Sequence, residues 1–415
     1  MKDFENSQIE GHPVAPRICI LVAVTSPLTW GFFTGTFGIL RSAAFDPILV
    51  SSPGEQLRRV GRDNGVRYEA IPMRREIAPL HDLLSLWRFC RLIQKVRPTL
   101  TDVGTPKAGL LAGVAAWLLG VPCRIYTLQG LRLETTTGLK RIVLTMTERV
   151  ACACAHRVIC VSPSLRQRAI ELKLVSAGKA AVLGSGSFRG IDVQRFSPEI
   201  REPVQKEHLA KSLGFSEATS VIGFVGRLTR DKGIRELVRA FSHLRRKWPA
   251  LRLLLVGDLE DGDPVESKVR QQVKTDPAIV HVGFVADTAP YYALMDILAL
   301  PSYREGLGYA PLEAQACGIP VVTTTATGAV DSVVEGVTGF HVPVGNWEVL
   351  ADRIDQLLCD PELRSRMGQR GREWIVREFR HEVVGQALIE EYERLLRARV
   401  GYQINATQSQ LRNAG

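Results

Sequence analysis

What this chain lacks excludes several classes of protein. No apolar run reaches the roughly 20 residues that cross a bilayer as a helix. The longest, Leu110 to Pro122, stops short and ends in Gly120-Val121-Pro122, so it reads as a buried helix. Its Gly109 and Gly113 then serve close packing against a sheet rather than pairing of membrane helices. The eight cysteines contain no Cys-x-x-Cys pair and have no clustered histidine, which argues against zinc and for a reducing compartment. Cys152 and Cys154, two apart in a helical pattern, point away from each other and read as small core residues. No cleavable leader precedes the first apolar run, Ile18 to Val24, and cytoplasmic residence is the expectation. No recognised nucleic-acid module or interleaved aromatic-basic array occurs, so nucleic acid is not expected as a partner.

What is present is a chain of 415 residues, 45% hydrophobic, enough for two cores. Strand-like apolar runs alternate with helical patterns, which predicts parallel sheets of the α/β class. The expected strands lie near 18–24, 47–51, 67–71, 99–102, 123–127, 157–161 and 180–183, then near 221–225, 251–256, 279–282, 297–300, 320–323 and 340–342. Two doubly wound units result, with residues 14–197 as the first, 198–217 as a strandless linker and 218–379 as the second. A closing helix over about 380–399 has Leu388, Tyr392 and Leu395 on one face. Residues 1–13 and 401–415 read as loose tails.

Charge is uneven. Lys and Arg outnumber Asp and Glu by 26 to 15 in residues 1–200, but stand at 27 to 28 in residues 201–415. The segment 83–97 places Arg88, Arg91 and Lys95 at helical spacing beside Trp87 and Phe89, a basic amphipathic helix. An ordinary surface helix with its apolar stripe on the sheet and a membrane-surface helix both fit that pattern.

The most informative stretch is Glu305-Gly306-Leu307-Gly308-Tyr309-Ala310-Pro311-Leu312-Glu313, directly after a strand. Pro311 is welcome in the first turn of a helix, so Glu305 lies in a loop and Glu313 on that helix. Gly306 and Gly308 let backbone approach a ligand closely. The amides of Leu307, Gly308 and Tyr309 then face anionic oxygens at the helix start. A second segment, Val221 to Gly233, runs from an apolar strand through Gly226 and Arg227 to Lys232-Gly233. Such strand-to-helix loops border the ligand crevice of an open α/β sheet, where a forked Arg and a point-charge Lys suit a diphosphate.

Taken with Cys317-Gly318-Ile319-Pro320-Val321-Val322 and Gly336-Val337-Thr338-Gly339-Phe340, these motifs resemble the family-4 retaining glycosyltransferases, and within them bacterial enzymes of exopolysaccharide, capsule and O-antigen synthesis. The resemblance implies the GT-B fold: two facing Rossmann-like domains, the first binding the acceptor and the second the nucleotide sugar, with the closing helix crossing back to the first. It implies a hexosyltransferase that moves a sugar from a nucleotide-diphosphate donor, UDP being favoured, to a polyprenyl-diphosphate-linked saccharide at the inner membrane surface, as a peripheral protein. By resemblance Arg227 and Lys232 stabilise the diphosphate, Glu305 holds the donor sugar and Glu313 the ribose hydroxyls. No cofactor or metal is implied, and Gly31, after the first strand, faces the donor diphosphate.

Two departures from the family pattern stand out. Gln129, in the loop with Gly130, occupies a place where many relatives carry His; it can bond a hydroxyl but cannot take a proton at neutral pH. Ser187-Phe188-Arg189-Gly190-Ile191-Asp192 has Arg189 where the signature has Asn. Asp261-Gly262-Asp263 matches a metal-binding triplet of another fold, but reads as a solvated turn. Gly184 to Gly190 is one residue too long for a dinucleotide fingerprint. A UDP-sugar 2-epimerase of the same fold and an inactive membrane-surface partner of a polysaccharide assembly complex are the alternatives.

Overall fold

The computed structural model describes residues 17–402 apart from 34, 75, 77, 201, 202, 217, 218 and 261. The N-terminal tail, 1–13, and most of the C-terminal one therefore lie outside the described residues. The first unit runs β1 (Ile18–Ala23), α1 (Thr36–Ser42), β2 (Phe45–Ser51), α2 (Glu55–Asp63), β3 (Arg67–Ala70), α3 (Pro79–Val96), β4 (Leu100–Gly104), α4 (Pro106–Leu118), β5 (Cys123–Leu128), α5 (Gly138–Cys154), β6 (Arg157–Cys160), α6 (Pro163–Glu171) and β7 (Ala180–Ala181). After α7 (Pro203–Ser212) the second runs β8 (Val221–Val225), α8 (Ile234–Leu244), β9 (Arg252–Val256), α9 (Ser267–Thr275), β10 (Ile279–Gly283), α10 (Ala289–Tyr292), β11 (Ile297–Leu300), α11 (Tyr309–Ala316), β12 (Val321–Thr324), β13 (Gly339–Val342), α12 (Trp347–Cys359) and α13 (Pro361–Glu378). The chain closes with α14 (His381–Val400).

Each expected strand is present, its ends moved by a residue or two. The sheets are wholly parallel, ordered β3-β2-β1-β4-β5-β6-β7 and β10-β9-β8-β11-β12-β13. Both are doubly wound, with the winding reversing between β1 and β4 and between β8 and β11. Helices on both faces explain why a strand such as Val221–Val225 is apolar throughout and buried at every residue.

The strandless linker folds as α7, whose Leu209 and Ala210 pack on the core. One reading needs amendment: the tail read as loose from 401 still packs at Tyr402, against the core beneath α14. Helix α4 is buried over most of its length, as expected, packed by α3 and α5, with Trp117 and Leu118 exposed at its C-terminal end. In α3 the two aromatics part company, Phe89 turning fully inward and Trp87 outward.

Helix α14 returns to the first unit, as expected. Leu388, Ile389, Tyr392 and Leu396 join its core. Tyr392 OH donates to Asp102 Oδ2 at 2.6 Å, and Thr127 Oγ1 donates to Asp102 Oδ1 at 2.7 Å. Burial pushes the Asp102 carboxyl above the usual carboxylate range, and the two hydroxyls oppose that shift. Removing the acceptor strands both donors. Asp102→Ala is expected to cost about 2 kcal/mol in urea unfolding, and Asp102→Asn, which keeps an acceptor, less than half as much. Equal losses would mean that the bonds to Tyr392 and Thr127 contribute nothing.

Candidate active site

In doubly wound sheets ligands sit outside the carboxyl ends of the strands where the winding reverses. The loops leaving β8 and β11, the two strands at that reversal, carry Arg227, Lys232 and Glu305 to this place. Lys232 Nζ lies 2.5 Å from Glu305 Oε1, and Ser302 Oγ donates to the same oxygen at 2.7 Å. Both charged side chains are largely out of water, 15% and 11% exposed, so the pair fixes the loop more firmly than a surface ion pair could. Gly233 permits the approach: at φ +70°, a Cβ there would stand 2.1 Å from Pro301 O. Arg227 lies farther out, its guanidinium 2.6 Å from Glu260 Oε2, so of the two expected cations only Lys232 is paired with Glu305.

From Glu305 the chain turns through Gly306 and buried Leu307 to Gly308, which caps α11 at φ +74°. Among the described residues no protein acceptor takes the amides of Gly306, Leu307 or Gly308, and they stand next to the positive end of the helix dipole. Tyr309 is the first residue of the helix.

The facing unit closes over this loop. A Cβ on Gly306 would fall 2.2 Å from Gln129 O, and one on Gly130 would lie 3.5 Å from the Gly306 amide nitrogen. Gln129 and Gly130 are therefore brought beside Glu305 and Gly306. Gly31 lies in a short 3-10 helix after β1, where its nearest side chain is Gln56.

Glu313, four residues after Tyr309, is partly buried and accepts from Tyr292 OH at 2.8 Å. Desolvation raises its pKa, and the Arg189 guanidinium pulls it back. Sequence reasoning singled out Arg189 only as a departure and missed its contact: it stacks 3.5 Å from the centre of the Tyr309 ring. It also missed Ser187, bonded to Tyr309 OH at 2.8 Å, and Ser302. Ser302 follows Pro301 at a strand end and was within reach of motif reading; Ser187 and Tyr292 carry no local signal. Asp263 accepts from the Asp231 amide at 3.1 Å and pairs with Arg230, as a turn acid does; its triplet partner Asp261 lies outside the described residues. No group of three or more His, Cys, Asp or Glu is placed to hold a metal among the described residues.

Comparison with known proteins gives a consistent result. Residues 205–374 match the family model of glycosyl transferases group 1, and residues 38–186 that of the glycosyl transferase 4-like domain. The capsular polysaccharide biosynthesis glycosyltransferase CapM of Staphylococcus aureus is 36% identical over 385 residues, 93% of this chain and 99% of that protein. The UDP-Gal:alpha-D-GlcNAc-diphosphoundecaprenol alpha-1,3-galactosyltransferase of Escherichia coli is 26% identical over 331 residues, 79% and 84% of the two chains. Among solved structures, Anabaena Alr3699/HepE in complex with UDP-glucose shares the fold with a TM-score of 0.76 at 20% identity, covering 91% of this chain and all of that one (100%).

The Lys232–Glu305 geometry makes a prediction of its own. Lys232→Met leaves a mostly buried carboxylate without its cation and is expected to cost roughly 2 to 3 kcal/mol, discounted from a fully buried pair. Adding Glu305→Gln should recover most of that. A double-mutant cycle by thermal unfolding with no coupling would show that the pair does not form in solution.

Proposed function

The chain belongs to the glycosyl transferases group 1 family, and from that premise we propose that it is a retaining hexosyltransferase that moves a sugar from a UDP-linked donor to a lipid-linked saccharide in capsule or related surface-polysaccharide synthesis. The observation that carries the reading is the loop from Lys232-paired Glu305 to the capped start of α11, in the crevice between two units. A retaining transfer needs an oriented sugar, a stabilised leaving diphosphate and an acceptor hydroxyl on the face from which that group departs. As the bond from the anomeric carbon to the diphosphate breaks, negative charge grows on the phosphate oxygens. Arg227, Lys232 and the amides of Gly306 to Tyr309 meet that charge, which makes a metal unnecessary. Glu305 takes sugar hydroxyls and Glu313 the ribose. Residues 218–379 hold the donor and residues 14–197 the acceptor, and Gln129 orients a hydroxyl without taking its proton.

The donor reading draws support from the UDP-glucose complex of the Anabaena fold relative and from the UDP-Gal named for the Escherichia coli enzyme. That enzyme's name also carries the lipid-linked acceptor, a diphosphoundecaprenol. Incubation of the purified protein with UDP-, GDP- and ADP-sugars in EDTA should release nucleotide from one UDP-sugar. Glu305→Ala and Arg227→Ala should each lose about two orders of magnitude in kcat/KM. A folded protein that binds no nucleotide sugar would sink the enzyme reading and favour the assembly partner.

A lipid-linked acceptor places the enzyme at the inner membrane surface, where it acts as a peripheral protein; no helix of the described residues is long and apolar enough to cross a membrane. The outer faces of α3, α4 and α5 support this. Leu80, Leu83, Leu84 and Trp87 form an exposed stripe on α3, and Leu139, Ile142, Met146 and Val150 another on α5. Trp117 and Leu118 lie exposed on the helix between them. Arg88, Arg91, Lys140 and Arg141 on the same two helices supply charge for anionic headgroups. Leu83→Ser with Trp87→Ser is expected to weaken sedimentation with phosphatidylglycerol vesicles at least about tenfold, leaving UDP binding intact. Unchanged sedimentation would move the membrane contact elsewhere.

A further inference from the structure

The segment 187–191 belongs to the first unit, yet touches the second at two places that matter. At one end Ser187 Oγ shares a hydrogen bond of 2.8 Å with Tyr309 OH, and Arg189 lies flat over the same ring. Ser187 itself adopts φ +77°, and its Oγ accepts from the amides of Arg189 and Gly190 at 3.4 and 3.2 Å, which holds the turn in shape. At the other end Arg189 O meets the His381 ring nitrogen at 2.6 Å, and the Ile191 amide donates to Phe379 O at 2.6 Å, where the chain begins its return through α14.

Tyr309 and Glu313 stand four residues apart on α11 and so share a face. A guanidinium stacked on the first is within electrostatic reach of the second. The other groups facing Glu313 are Tyr292, which donates a hydrogen bond, Arg195, and Asp287, to which Arg195 is paired at 2.8 Å. Arg195 is thus already compensated, and Arg189 is the leading cation opposing the rise in the pKa of this carboxyl that desolvation causes. An Asn in its place would carry no charge.

We infer that Arg189 is a positioning residue for the nucleotide: stacked from the first unit on Tyr309, it supports the negative charge of Glu313 on the same face of α11, so the grip on the donor ribose depends on the two units being apposed. This rests on the assignment of Glu313 to the ribose. The sign follows from burial. Glu313 binds hydroxyls as an anion above its raised pKa and loses that capacity as pH falls through it. Withdrawing Arg189 raises that pKa further.

Calorimetry of UDP binding from pH 5 to 8 tests this on wild type, Arg189→Asn, Arg189→Lys and Glu313→Gln; comparison between variants cancels the titration of the UDP phosphate. In Arg189→Asn the pH at which affinity falls should move up relative to wild type, so that UDP binding weakens most on the acid limb and least at pH 8. Arg189→Lys should bring the midpoint back toward wild type. Donor KM should change more than kcat. Glu313→Gln should bind weakly and lose the wild-type acid limb. Identical midpoints in wild type and Arg189→Asn overturn the role of Arg189 while leaving the donor assignment standing. Failure of the wild type to bind UDP overturns the donor assignment itself. Should Arg189→Asn fail to fold by thermal melting, Arg189→Lys against Glu313→Gln decides: a midpoint in Arg189→Lys equal to wild type with stacking lost supports charge, and loss of binding at every pH overturns it.

Discussion

Two turns from opposite halves of the molecule, Gln129-Gly130 and Glu305-Gly306, meet with backbone against backbone. The spacing leaves no room for a side chain, since a Cβ on Gly306 would sit 2.2 Å from Gln129 O. Everything at the site depends on that closeness. The Lys232–Glu305 pair, the open amides before α11 and the Gln129 loop come together because the crevice narrows to a glycine here. Around it the joint is polar. Thr327 Oγ1 donates to Glu134 at 2.9 Å, Arg304 to Thr135 at 2.8 Å, and the Gly328 amide to Ser164 Oγ at 2.7 Å. Such bonds are each worth little net in water, so an interface made of them can part, unlike an apolar one.

The durable connection lies on the far side, in α14. Its Tyr392 is sealed on Asp102 and its Leu388 and Leu396 in the core, so the end of the chain is a fixed part of the first unit. Between this anchor and the polar joint runs the segment 187–191, tied to both. A molecule built this way is anchored by an apolar helix on one side and by polar bonds and close-set glycines on the other.

The surplus of positive charge in the first half of the chain finds its explanation in surface rather than site. At the Glu305 loop each cation near the reversal of the second sheet has an acid beside it: Lys232 has Glu305, Arg227 has Glu260 and Arg304 has Asp231. The bases on α3 and α5 instead border exposed leucines and a tryptophan. Paired charge in a crevice holds geometry.

Much of the fold was legible because its signals are local. Apolar runs such as Val221–Val225 mark a strand buried on both faces, Pro311 marks a helix start, and Gly306 and Gly308 mark a backbone open to close approach. Those residues also located Glu305, Arg227 and Lys232 on the loops that border a crevice, and Glu313 on the helix after one of them. Other features could not be read this way. The segment 203–212 has no marked periodicity and folds as a helix by packing Leu209 and Ala210 on a core that sequence does not display. Helix α4 was legible as buried because its residues are apolar all round, but the exposure of Trp117 and Leu118 at its C-terminal end was not. Ser187 and Arg189 lie more than a hundred residues from Tyr309, and nothing in their neighbourhood announces the contact. The sequence by itself determined the elements, their order and the chemistry of each loop, because backbone preference and burial act over a few residues. The tertiary structure alone decided which loops share a ligand and which charges compensate one another, because those depend on distances set by the packing of whole sheets.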